Sequence, residues 1–321
     1  MGKVTLTNAD ISRHIETLNS LKEGDRAVSE LIAYGHRAIE PLRQFLLEGK
    51  PSAIYQPRQR AVEALAALGA KEVLVEYLRR HKDIVDPDVR LGEEAVESTA
   101  ARHLSKWPSE EVYQILLEIA QERCLPGALE ALAEFRMPES IPYLVMALED
   151  DVCRPAAEEA LRKIGASARL ELIHAALTPS PNKEAETPSS LRRRGSAAGL
   201  LSEIGVSAEE WRQFHQLLNE TDPAILVAVS GMAAKVAETK EKALVVRRLM
   251  EALETADWYF REEIGTLLTQ FSDVGKCLVE EEIVRRRQLA NEKRVVDPVL
   301  LTLLRVKHRA EEKGKGDDDH D

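Results

Sequence analysis

The side chains that could do chemistry are scattered. Histidine stands at positions 14, 36, 81, 103, 174, 215, 308 and 320. A zinc hydrolase would need two of them four apart on one helix face with a glutamate beside the first, but the chain contains no HExxH and no His-Glu dipeptide. Cys124, Cys153 and Cys277 show no CxxC spacing. An odd number of cysteines in a long chain is expected as free, mostly buried thiols of a reducing compartment. There is no GxxxxGK[ST] loop to cradle a phosphate and no GxSxG elbow to present a serine nucleophile. The terminal Asp317-Asp318-Asp319-His320-Asp321 could meet divalent cations, but it lacks the preorganisation of a specific site. The expectation is therefore no catalytic residue, no metal ligand and no cofactor.

Binding chemistry is better represented. Arg58, Arg154, Arg194 and Arg261 recur and could be taken for a basic ladder toward phosphates. Arg192-Arg193-Arg194 and Arg285-Arg286-Arg287 are denser, but three consecutive helical positions span most of the circumference, so a solvated face is expected. In Trp258-Tyr259-Phe260, Phe260 is expected in the core. Trp258 is expected to pack over a turn, with an exposed interface anchor as the alternative. The net charge of −11 and a sequence pI near 5.4 oppose a sheath for nucleic acid.

The elements that must position these residues repeat. In the stretch 154–177, Ala157, Leu161 and Ile164 fall at helical spacing between charged residues. Pro155 suits a helix start and Gly165 a helix stop. Ser167 can cap a second helix striped by Leu170, Ile173 and Leu177. Similar modules recur, anchored at Leu31, Leu65, Leu104, Leu132, Leu161, Leu201, Ala233 and Leu268, about 28–40 residues apart. A period in this range signals stacked helix pairs, because neither short helix is stable alone. Aromatics at 4% agree with helix over strand. The opening MGKVTLTNAD has no apolar leader, and no apolar run reaches the ~18 residues of a membrane span. A soluble, cytoplasmic protein is the expectation.

The modules resemble HEAT repeats, in particular the short bacterial kind also seen in phycobilisome lyase-type proteins. The family's first helix looks like Asp-x-x-Val-Arg-x-x-Ala-x-x-x-Leu-x-x-Ile-Gly. Asp151 to Arg154 with Ala157, Leu161, Ile164 and Gly165 fits it, as does Asp257 to Arg261 with Leu268 and Phe271. Arg58 and Arg194 hold the same place, seven residues before their anchors, whereas Gly24, Glu97, Leu125 and Leu226 stand there in other modules. The resemblance spans residues 24–290. It implies an all-α, right-handed α-solenoid of about eight helix pairs with terminal capping helices. The expected layout is a cap at 1–23, repeats at 24–177, a flexible Pro/Ser-rich loop at 178–190, repeats at 191–290, a capping helix at 291–310 and a disordered acidic tail at 311–321. The repeated arginine is then structural, pairing with an acidic residue or a loop carbonyl next door.

The fold implies a scaffold or adaptor that holds a protein or peptide along its concave face, without catalysis, membrane insertion or nucleic acid. The second helices line that face and offer Arg43, Tyr77, Arg80, Tyr113, Tyr143, Trp211 and Arg247. The alternative is an enzyme of the same architecture, such as an alkylpurine DNA glycosylase or a bilin lyase-like protein. Deoxyhypusine hydroxylase, a HEAT-repeat metalloenzyme, takes its iron ligands from His-Glu pairs that this chain lacks.

Overall fold

A computed structural model describes residues 8–80, 83–180, 186–293 and 296–317. Among them every regular element is helical, and no helix is long and apolar enough to cross a membrane. The chain divides into two compact units, Met1–Ala168 and Arg169–Asp321.

The first unit opens with α1 (Asn8–Thr17), which sends Ile11 into the core, followed by buried Leu18. Then come α2 (Gly24–Ala33), α3 (Ile39–Glu48), α4 (Gln56–Ala67), α5 (Lys71–Arg79), α6 (Pro87–Leu104), α7 (Glu110–Glu122), α8 (Pro126–Phe135), α9 (Ile141–Ala147) and α10 (Arg154–Ile164). They form two rows. α2, α4, α6, α8 and α10 pack each on the next, and so do α3, α5, α7 and α9. Each helix of the second row also packs on the following helix of the first. The anchors Leu31, Leu65, Leu104, Leu132 and Leu161 are all buried in the first row. Burying each leucine contributes about 2 kcal/mol, which the short helices need. The first row packs closely enough at Gly127 that an added Cβ would lie 1.8 Å from the Ser98 carbonyl oxygen on α6.

The second unit holds α11 (Arg169–Leu177), α12 (Pro188–Ile204), α13 (Ala208–Phe214), α14 (Pro223–Val236), α15 (Thr239–Ala252), α16 (Trp258–Leu268), α17 (Ser272–Lys293) and α18 (Pro298–Asp317). α11 packs on α12, and α12, α14, α16 and α18 stack in turn. α15 packs beside α17, and α18 packs against both α16 and α17. The units part before α11 and not at the 178–190 insertion, of which 181–185 lie outside the described residues. The reason is visible on α12, where Arg194 and Arg193 donate to the Ala176 and Thr178 carbonyls and tie α11 to this side. α18 continues through 311–317, into the segment expected to be disordered. Residues 1–7 of the N-terminal cap and 318–321 of the tail lie outside the described residues.

Local signals explain where the helices begin and end. Asp86, Ser109, Thr187, Ser207, Asp222 and Asp257 accept backbone N–H groups at the starts of α6, α7, α12, α13, α14 and α16. Gly35, Gly69, Gly165 and Gly205 follow first-row helices with φ between 63° and 93°, a region glycine enters without a Cβ clash. Arg136 after α8 also has positive φ, in the left-handed helical region at φ 52° and ψ 30°.

Buried charge joins the rows. Arg58 on α4 donates to the Leu46 carbonyl of α3 at 2.8 Å and pairs with Glu93 of α6. The Tyr77 hydroxyl of α5 donates to the other Glu93 oxygen at 2.7 Å, with the Arg58 guanidinium over its ring. One buried cluster thus links four consecutive helices. Glu97 fills the arginine place on α6 with reversed charge, buried and paired to Arg123 beyond α7. Arg194 bonds the Ala176 carbonyl at 3.0 Å and carboxylates of Glu186 and Glu220, each at 2.5 Å. Arg261 reaches the Leu253 carbonyl at 3.3 Å. Arg154 differs, bonding Asp151 of its own turn at 2.7 Å with a partly exposed side chain. Of the triplet 285–287, Arg286 is buried among Glu254, Glu282 and Asp297, so the expected solvated face does not hold there.

Removing one partner of a buried pair leaves an uncompensated charge. Glu93→Leu is expected to lower unfolding free energy in urea by about 3 kcal/mol, and Glu93→Leu with Arg58→Met to recover most of it. A single variant as stable as the parent would contradict the buried role of this cluster.

Candidate functional site

In the first unit the side chains expected to line a binding face are largely spent on the fold. Tyr77 and Tyr113 are 4% and 3% exposed. Burial, and then the neighbouring Glu93 charge, push the Tyr77 hydroxyl far above its ordinary range. Tyr113 packs its ring against Phe135, centroids 5.4 Å apart. Neither can meet a partner at the surface, which corrects the expectation for both. Arg43 and Arg80 converge on Glu76, the first through two bonds of 2.9 and 2.8 Å, the second at 2.5 Å. Hydrogen bonding from Arg43 draws the Glu76 carboxyl below its usual range. Tyr143 is half-buried, its oxygen accepting from Gln121 at 3.0 Å.

The second unit brings Trp211 and Arg247 to one depression between α13 and α15. Trp211 is 1% exposed and forms its base as a packing side chain, so its indole offers no stacking face to a partner. Its Nε1 donates to Glu241 Oε2 at 3.2 Å, and His215 Nε2 lies 3.0 Å from Glu241 Oε1. Glu241 also receives the Glu238 N–H at the start of α15. Exposed Leu244 and Arg247 stand on the rim, while Arg248 is held by the Leu218 and Glu220 carbonyls. A histidine beside a carboxylate could serve as a base, but no serine, threonine, cysteine or lysine lines the depression as a nucleophile. Glu241 acts here as a brace.

A larger opening lies on the other row, along α12, α14 and α16. It is an open groove of about 740 Å³. Gly199, Ala228 and Gly231 keep it shallow-walled, and Trp258 and Tyr259 stand along it, 75% and 51% exposed. Trp258 was expected to pack over the turn; it extends into solvent because Asp257 caps α16 immediately before it, leaving it at the first helical position. The Trp258 and Tyr259 rings cross at 89° with centroids 6.3 Å apart, and Phe260 packs on Tyr259 from 5.3 Å. The Tyr259 hydroxyl bonds Glu263, which raises its pKa above the ordinary value. The sequence shows the aromatic run but not this groove, which forms only when α12, α14 and α16 are stacked.

Cys124, Cys153 and Asp150 bring donor atoms within 4.8 Å of one another, the arrangement of a possible metal site. The two sulfurs are joined as a disulfide, however, with Cα atoms 6.2 Å apart, and so present no thiolate to a metal. Asp150 Oδ1 accepts the Val152 and Cys153 N–H groups at 2.9 and 2.8 Å. The disulfide overturns the expectation of free thiols at 124 and 153. A signal was present: each cysteine stands eight residues before its anchor, Leu132 or Leu161, and equivalent positions of successive modules meet when α8 stacks on α10. Cys277 is free and exposed, its thiol pKa raised by a hydrogen bond with Glu281.

No protein-family model matches the chain, and no curated protein matches its sequence.

Alkylation of the native, unreduced protein is expected to label Cys277 and spare Cys124 and Cys153 until a reductant is added, as read by intact and peptide mass. Labelling of all three without reductant would remove the disulfide from this description.

Proposed function

We propose that this protein is a non-enzymatic interaction module, a HEAT-like α-solenoid that holds a protein partner on its helix faces. The observation carrying this reading is the exposure of large anchoring side chains on helices whose opposite, apolar faces are buried in the stack. Leu244, 63% exposed, stands beside Arg247 on α15, and Trp258 and Tyr259 stand on α16. Aromatic and arginine side chains held on rigid helices bind at low entropic cost and are the commonest interface anchors.

The enzyme alternative receives less support. A glycosylase of this architecture would need a basic concave face as well as aromatics around the base and a carboxylate; the groove of α12, α14 and α16 has the aromatics and carboxylates, but Lys235 stands alone among its lining residues against three glutamates. Near the surface depression of α13 and α15 the indole is buried and Glu241 is committed to Trp211, His215 and a helix start. The acidic composition also opposes phosphate binding.

Cross-linked capture with the full chain from its native host is expected to return one protein in constant ratio. Leu244→Asp with Arg247→Glu is expected to reduce recovery severalfold while leaving the helical circular dichroism unchanged, if the α15 face contributes. Recovery of no protein in constant ratio would count against the interaction reading itself.

A further inference from the structure

The groove of α12, α14 and α16 carries features that the fold itself does not require. Gly199 lies within α12, where glycine costs about 1 kcal/mol relative to alanine. A Cβ added there would meet nothing within 4 Å, so neither packing nor close helix approach demands glycine at this position. Gly231 contrasts with it, because a Cβ there would lie 2.6 Å from Ser202 Oγ. Gly199 therefore leaves open space in the groove and no contact in the core. The indole of Trp258 faces water at large cost in exposed apolar surface.

Among the residues lining this space acidic side chains outnumber basic ones, while Arg305 and Arg309 of α18 reach its edge at Glu262 and Thr266. Glu203, Glu262 and Glu263 line the groove, against Lys235, which donates to the Ser202 carbonyl. Glu262 pairs with Arg305 and Glu263 accepts from Tyr259, but a carboxylate offers about four acceptor positions and each keeps capacity for a further donor. An exposed indole and phenol beside carboxylates suit a planar cation. Guanidinium stacks on an aromatic face while its edge N–H groups bond carboxylate with full ionic attraction, which an anionic group cannot do and a neutral amide does only weakly.

Building on the interaction reading above, we infer that this groove docks an arginine-bearing segment of a partner protein. One guanidinium stacks on Trp258 and bonds the Glu262 and Glu263 carboxylates, and the adjoining backbone crosses the open floor at Gly199. The site is on α12, α14 and α16, whereas the expected contact residues of this unit, Trp211 and Arg247, are on α13 and α15.

The test uses the full-length chain and short peptides carrying arginine on an alanine-glycine background, with matched peptides in which glutamine or glutamate replaces arginine. Calorimetry, with Trp258 fluorescence as the local readout, is expected to give saturable binding for the arginine series alone. Trp258→Ala should weaken it about tenfold or more. Gly199→Leu should abolish it while melting at or above the parent temperature, because its side chain fills the groove without touching the core. Leu244→Asp with Arg247→Glu should leave peptide binding intact. Absence of arginine-peptide binding, equal binding of the glutamine or glutamate series, or full affinity in Trp258→Ala or Gly199→Leu overturns the assignment. If a protein is still captured from the host when the peptides fail, the groove assignment falls and the interaction reading stands; if neither binds, both fall.

Discussion

The last carbonyls of a helix have no N–H partner within that helix. Where the helix ends in a packed interior, something else must bond them. In this protein an arginine from the following helix does so: Arg58 bonds Leu46, Arg194 bonds Ala176 and Arg261 bonds the Leu253 carbonyl just past α15. Guanidinium suits the task because it stays charged and carries five donors in a fixed plane. One nitrogen caps the preceding helix while others meet carboxylates brought by the chain around it, Glu93 at Arg58 and Glu186 and Glu220 at Arg194. Each such arginine is a joint between one helix pair and the next.

The joints decide what remains for function. Side chains that would make a reactive centre in another fold are consumed here as braces. Glu93 holds both Arg58 and Tyr77, and Glu241 holds Trp211, His215 and the start of α15. Fixing the helices in this way also fixes what stands on their outer surfaces. Trp258, Tyr259 and Leu244 are exposed on elements whose own positions are settled by packing, so their geometry toward a partner is preset.

Much of this architecture was legible in the residues. All eight spaced anchors are buried, because an apolar position repeated at helical spacing has nowhere else to go. The glycines after the anchors at 35, 69, 165 and 205 all adopt positive φ, as a helix stop requires. The structural role expected of the repeated arginine holds at Arg58, Arg194 and Arg261, with Arg154 bonding only locally among its described contacts. The binding residues were less legible. Residue type and a place on a second helix single out Tyr77, Tyr113 and Trp211, but burial depends on the rotation of that helix against its neighbours. Glu93, sixteen residues on and across a loop, draws Tyr77 inward, and no local pattern announces it. The cysteine pair is hidden for a different reason: no local motif joins Cys124 and Cys153, which meet through the register between successive modules.

The repeated arginine is a joint that needs its planar fork, and in the proposed complex it stands clear of the partner. Arg194→Lys tests it most directly, since lysine keeps the charge and loses the geometry that reaches Ala176, Glu186 and Glu220 together. Urea unfolding should show a loss of about 1–3 kcal/mol, with the folded spectrum and arginine-peptide affinity of the parent retained. Unchanged unfolding together with lost affinity would make Arg194 a binding residue and contradict the account.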